Sequence, residues 1–306
     1  MSFDFYFAGT YTIEADYLLL DRHSCRLMSQ LNDRKRTELW VNEYKKGNKN
    51  KIFIDSGAFT AWTKNKEIDI DEYINYLNTN TNELELFASL DNIPGEFNRT
   101  PTHKETKESP IISWQNYLYM REKIVEKDKL LPVFHIGEDF SHLNTMLNTT
   151  FEGKHIPYIA LGGTVGLSSK VKDDWYNVCF KVIKDSNNPN VKTHAFGMTS
   201  LPLLEKYPFT SCDSTAWIMA GANGQICTKY GRVIVSDIGA GKDKHIDSLP
   251  LSIQNDIKTQ VEKSGITLEQ TRVDYKARAI VNANFFQDWA DNYKFKGTKI
   301  YQKRLF

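Results

Sequence analysis

Four short apolar runs stop abruptly at acidic or glycine residues, and this recurrence constrains the fold more than any other feature of the chain. They are Ile52-Phe53-Ile54-Asp55-Ser56-Gly57, Leu86-Phe87-Ala88-Ser89-Leu90-Asp91, Ile159-Ala160-Leu161-Gly162-Gly163 and Phe209-Thr210-Ser211-Cys212-Asp213-Ser214-Thr215. Apolar runs of this length bounded by turn residues read as buried strands. An Asp followed by Ser and Thr is, taken singly, also an ordinary helix cap or turn. Four such endings in one chain describe a barrel mouth, where strand ends deliver carboxylates and backbone amides to a cleft.

The spacing between the runs supports that architecture. Phe3 to Ala8 reads as a first strand, and residues 11–46 as mixed and mostly helical. Helices follow at 71–78, 113–127, 140–147, 173–184 and 201–206. Further strands fall at 131–136, 158–161 and 193–196, and 232–235 completes the set as the last barrel strand. Residues 92–109, with Pro94, Gly95 and Pro101, read as a long loop of the kind that carries function. Strand and helix alternating about eight times predict an α/β fold, a (β/α)8 TIM-type barrel over residues 1–245. Residues 246–306 form a helical C-terminal extension packed on it. There Ile253, Ile257 and Val261 recur every four residues as a stripe on a helix closed by Gly265, and Thr267 with Gln270 opens a helix to about Tyr293.

Composition narrows the class. A chain of 306 residues, 41% hydrophobic and 25% charged, can bury a full core, and its net charge of +1 neither demands nor excludes a nucleic-acid partner. No apolar run is long enough to span a membrane, and the start Met1-Ser2-Phe3-Asp4 lacks signal-peptide character. A cytoplasmic location is expected, that of the host if the chain is phage-encoded. Cys25, Cys179, Cys212 and Cys227 are scattered, as reduced thiols are, and neither Cys-x-x-Cys nor His-Glu-x-x-His occurs. No metal site and no cofactor are expected. The basic groups open to phosphate are Arg34-Lys35-Arg36, Lys45-Lys46, those of the 92–109 loop, and the tail of Lys294, Lys296, Lys299, Lys303 and Arg304.

In order and spacing these elements resemble the tRNA-guanine transglycosylases, and most of all the short phage-type DNA-guanine transglycosylases of 7-deazaguanine DNA modification. Asp55-Ser56-Gly57-Ala58-Phe59-Thr60 is similar to the family's Asp-Ser-Gly-Gly-Phe/Tyr-Gln element. Ile159 to Gly166 echoes Leu-x-x-Gly-Gly, Phe196-Gly197-Met198 its Met-Gly element, and Ser211-Cys212-Asp213 its nucleophile element. Ten residues beyond that aspartate, Asn223-Gly224-x-x-x-Thr228-x-x-Gly231 parallels a further family run, so the likeness spans about residues 52–235. The family's zinc-binding cysteines and histidine are missing, and Ala216-Trp217-Ile218-Met219 stands where arginines follow the nucleophile, which favours DNA over tRNA.

The resemblance implies base exchange through a covalent aspartyl-glycosyl intermediate. Asp213 would be the nucleophile and Asp55 the acid and base. Asp91 would read the donors of a guanine-like base, Gly162 and Gly163 would bring backbone amides close to it, and Phe59 and Phe196 would flank its faces. Gly197 would line the same pocket, and His135, standing for a family Gln, would donate to a carbonyl or cyano group. The expected partners are DNA and a 7-deazaguanine such as 7-cyano-7-deazaguanine, with an accessory protein or a homodimer left open. The rival readings are a tRNA-directed enzyme of the same chemistry, a non-catalytic nucleic-acid-binding subunit, and an unrelated barrel hydrolase.

Overall fold

Alternate residues of each strand near the chain's start split cleanly between two environments, and that split defines the architecture. In β1 (Asp4–Phe7), Phe5 and Phe7 pack outward against helices while Tyr6 joins a separate inner cluster. In β3 (Ile52–Asp55), Ile52 and Ile54 face out and Phe53 faces in. The inner cluster gathers Tyr6, Phe53, Leu86, Ala88, Leu131, Val133, Tyr158 and Ala160, one or two residues per strand. A period of two with both faces buried is what a parallel sheet covered by helices requires.

The computed structural model describes residues 3–9, 13–22, 24–237 and 245–297. Nine parallel strands form one sheet in the order β5-β4-β3-β2-β1-β11-β10-β9-β6. The further strands are β2 (Cys25–Ser29), β4 (Leu86–Ala88), β5 (Leu130–Leu131), β6 (Val133–His135), β9 (Tyr158–Gly162), β10 (Lys192–Ala195) and β11 (Ser211–Ser214). The two ends of this order are separated in the chain by Pro132 alone. Ser89 donates to the Leu131 carbonyl at 2.9 Å on one side, and Ala160 donates to the Pro132 carbonyl at 2.9 Å on the other. Proline has no N–H to continue the ladder, so the sheet is interrupted there and is nearly closed, barrel-like.

Helices cover the outside: α1 (Ile13–Asp21), α2 (Arg34–Lys45), α3 (Ala58–Thr63), α4 (Ile70–Thr79), α5 (His103–Lys123), α6 (Phe140–Asn148), α7 (Ser169–Asp185), α8 (Leu201–Lys206) and α9 (Ala216–Ala222). Two short hairpins stand apart, β7 (Thr150–Phe151) with β8 (Lys154–His155), and β12 (Gln225–Thr228) with β13 (Gly231–Ile234). The chain continues with α10 (Leu251–Lys263), α11 (Leu268–Val273) and α12 (Tyr275–Asp291). Among the described residues, no helix is long and apolar enough to cross a membrane.

Several expectations need correction. The 232–235 segment is not a barrel strand; β13 pairs antiparallel with β12, Cys227 opposite Arg232, because the two-residue link and Gly231 at φ +98° fold it straight back. The sheet position is filled instead by β2, inside the stretch read as mostly helical. Its pattern is disguised by Arg26, a fully buried guanidinium on the outer face whose Nε lies 3.2 Å from the equally buried Asp16. The 92–109 loop ends early, at Thr102, whose side chain and Glu105 form a capping box that starts α5 at His103, and Pro110 is accommodated inside that helix. The predicted helix from Thr267 to Tyr293 is two helices, broken at Asp274, which caps α12 by accepting from the Lys276 amide at 2.8 Å.

The C-terminal helices share the core of the sheet. Phe286 stacks on Phe5 at 4.8 Å, and Trp289 meets Phe3 edge-on at 5.1 Å. Asn282, fully buried, accepts from the Cys227 amide at 2.6 Å and donates to the Trp217 and Gln225 carbonyls at 2.9 and 3.3 Å.

Candidate active site

Parallel strands all end at one face, and here the inward-facing residue at most of those ends is polar or glycine. Asp55 closes β3, His135 closes β6, Gly162 closes β9, and Asp213 is the third residue of β11, while Phe196 and Gly197 follow β10 directly. Asp91 lies three residues beyond β4. The alternation that fills the barrel with Phe53, Val133 and Ala160 thus places Asp55, His135 and Gly162 on the same inner face, one layer higher.

Asp55 is held by the turn that follows it. The Gly57 amide donates to its Oδ2 at 3.0 Å, with Gly57 in the left-handed region at φ +80°. Burial raises the carboxyl most; the Gly57 hydrogen bond opposes this, and the negative charges of Asp91 and Asp213 add to the rise, leaving it at about 7. Asp91 and Asp213, from two other strand ends, therefore lie within electrostatic reach of Asp55, which is half-protonated near neutral pH.

Asp213 is 7% exposed; its Oδ1 accepts from the Gly197 amide at 2.7 Å and lies 3.3 Å from His194 Nε2. Gly197 reaches it because its φ of +61° turns the amide inward; a Cβ there would sit 2.5 Å from Val165 Cγ2. His194, fully buried in β10, was not singled out by motif reading, though its position two residues before Phe196 gives it the inward parity.

His135 departs from expectation. It has no free nitrogen to offer a base, because Nδ1 is 3.0 Å from Glu138 Oε1 and Nε2 is 3.4 Å from Asp91 Oδ2. Burial pulls this imidazole down, but the charge and hydrogen bond of Asp91, with those of Glu138, outweigh it and push it up to about 10. The ring is an imidazolium clamped between two carboxylates. Among the described residues Asp91 Oδ1 and Glu138 Oε2 are buried with no hydrogen-bond partner, so the unsatisfied functions here are acceptors. Glu138 was missed because it lies in the β6–α6 loop, outside any motif.

Gly162 lets this ring approach, since a Cβ would stand 3.2 Å from His135 Cδ2; Gly163, at φ +78°, lies against Ile136. Phe196 packs edge-on to His194 at 4.6 Å. Phe59 stands apart on α3, 64% exposed, with its ring 5.9 Å from Trp62, which in turn meets Phe97 at 5.2 Å.

The proposed phosphate contacts are mostly engaged elsewhere. Arg34 pairs with Glu72 at 2.7 Å, Arg36 with Asp16 at 3.4 Å, Lys46 with Glu43 at 2.6 Å and Lys296 with Glu205. Lys45 and Lys46 end α2, at the opposite end of the barrel from the carboxylates. Lys299, Lys303 and Arg304 lie outside the described residues. No family model matches the chain, and no curated protein matches its sequence.

Proposed function

We propose that the chain is a guanine transglycosylase that exchanges guanine in DNA for a 7-deazaguanine, built on a (β/α)8 barrel in which Leu130 to His135 counts as one strand interrupted at Pro132. The observation that carries this reading is the convergence of Asp55, Asp91 and Asp213 on one barrel mouth, with Asp55 poised at about 7 by its neighbours. A carboxylate nucleophile beside an acid that can give and take a proton near neutral pH is what glycosidic exchange with retention needs.

In the first half-reaction, a carboxylate oxygen of Asp213 forms a bond to the anomeric carbon as the bond to guanine breaks, and Asp55 gives its proton to the departing base. In the second, Asp55 takes the proton of the incoming base as that base attacks the same carbon, and the ester to Asp213 breaks. Both carboxyl groups return to their starting states, with no redox step. Asp91 Oδ1 and Glu138 Oε2 supply the acceptors that the N1–H and exocyclic amine of a guanine-like base would satisfy. DNA is preferred to tRNA on the family resemblance, because the zinc-binding residues and the arginines after the nucleophile are missing from the sequence.

The experiment is base exchange by purified protein. Duplex DNA and unmodified tRNA, in separate reactions, are incubated with 7-cyano-7-deazaguanine and digested to nucleosides for mass spectrometry. Modified deoxynucleoside that disappears in Asp213→Asn is the expected result. Modified ribonucleoside from tRNA alone would replace the substrate, and product from neither would overturn the reading.

A further inference from the structure

We propose that His194 is a positioning residue for Asp213, and that Tyr158 and Ser211 hold it in the tautomer this task requires. The proposal rests on the reading of Asp213 as the nucleophile and adds what aims its carboxylate.

Four polar groups form a continuous line inside the barrel. The Tyr158 hydroxyl is 2.6 Å from Ser211 Oγ, which is 2.6 Å from His194 Nδ1; His194 Nε2 is 3.3 Å from Asp213 Oδ1. All four residues are buried, three strands contribute them, and each is an inward residue of β9, β10 or β11. Such a line in an apolar interior is stable only if every proton has an acceptor.

That requirement sets the direction. An ionised Asp213 only accepts, so Nε2 must carry the proton that faces it. In the Nε2–H tautomer Nδ1 accepts, Ser211 supplies that donor, and Ser211 Oγ in turn accepts from the Tyr158 phenol. The ring cannot turn to another partner, because Phe53 at 4.8 Å, Phe196 at 4.6 Å and Tyr6 at 5.9 Å meet it edge-on. With the Gly197 amide also on Oδ1, both donors hold the same oxygen. Among the described residues no hydrogen bond reaches Oδ2, so Oδ2 is the oxygen left to attack. Without His194, one hydrogen bond would remain and the carboxylate would be free to swing about it.

Two measurements test this together. Nitrogen-15 NMR of the free protein should show one imidazole locked as the Nε2–H tautomer, its Nδ1 resonance moving in Ser211→Ala. Single-turnover trapping of the DNA–protein ester should show His194→Leu slowed by about 100-fold, the scale of a misplaced reacting group, with the affinity for DNA unchanged. His194→Gln, whose amide restores a donor near the Nε2 position, should recover about 10-fold of that loss. If His194→Leu does not fold, Ser211→Ala carries the kinetic test and should slow trapping by about 10-fold. Trapping at the wild-type rate in the folded variants, or an Nδ1–H tautomer, would overturn the positioning role and leave the nucleophile in place. An absence of ester in the wild-type protein would overturn both.

Discussion

His135 Nε2 lies 3.4 Å from Asp91 Oδ2 while its Nδ1 lies 3.0 Å from Glu138 Oε1, so one imidazolium bridges two carboxylates that come from different strand ends. The bridge neutralises part of the acidic mouth and orients Asp91, leaving its Oδ1 buried and without a hydrogen-bond partner among the described residues.

The first prediction follows from that bridge. His135 titrates at about 10, above the ordinary histidine value of about 6.5. A raised imidazole contributes stability that is complete below about pH 6.5 and lost as pH rises through about 10. The difference in denaturant midpoint between wild type and His135→Gln should therefore shrink as the pH is taken from about 7 to above 10. In Glu138→Gln, an NMR titration should find the imidazole lowered by about one unit or more.

Asp55 gives the opposite sign. Its carboxyl is raised to about 7, so the folded state prefers the protonated form and loses stability as pH rises from the unfolded value near 4 through about 7. Asp55→Asn should raise the melting temperature at about pH 8, and this gain should fade towards about pH 4. The same variant should lose base exchange. Wild-type exchange should have a pH limb near 7, read from initial rates.

Gly57 separates steric cost from backbone cost. A Cβ at Gly57 would lie 2.8 Å from Ser29 Oγ and 2.9 Å from Leu31 Cβ, whereas one at Gly166 would meet nothing within 4 Å; both have φ near +80°. Gly166→Ala should cost about 1 kcal/mol, the backbone part alone. Gly57→Ala should cost about 2–3 kcal/mol and displace the amide that binds Asp55. Equal losses in urea denaturation would refute the packing argument.

Asn282 ties α12 to α9 and β12 through three hydrogen bonds. Asn282→Leu strands one buried amide and two carbonyls, and should cost about 3 kcal/mol or more by equilibrium unfolding. A chain ended at residue 245 should not fold, since Phe5 would lose the ring of Phe286 and Phe3 that of Trp289. A cooperative transition in that truncated chain would show the helices to be dispensable.

Legibility in the sequence depended on how local each signal was. Strands such as 158–161 and helices such as 140–147 were readable because apolar spacing and caps act over a few residues. The second barrel strand was not, because Arg26 looks exposed until Asp16 is known to lie against it. Residues 232–235 have strand composition, and only the hairpin link to 225–228 removes them from the barrel. Asp55, Asp91 and Asp213 are singled out by strand-end motifs, whereas His194 and Glu138 belong to no motif and gain meaning only from the carboxylates beside them.

By itself the sequence determined the period-two strands, their acidic and glycine endings, and hence the α/β class with carboxylates at strand ends. Those properties are local, set by side-chain spacing and backbone freedom along a few residues. The tertiary structure decided which strand ends face one another, that burial and two neighbouring carboxylates raise Asp55 to about 7, and that His135 is held between Asp91 and Glu138. Desolvation and charge coupling depend on distances between residues far apart in the chain, and only the closing of the sheet sets those distances.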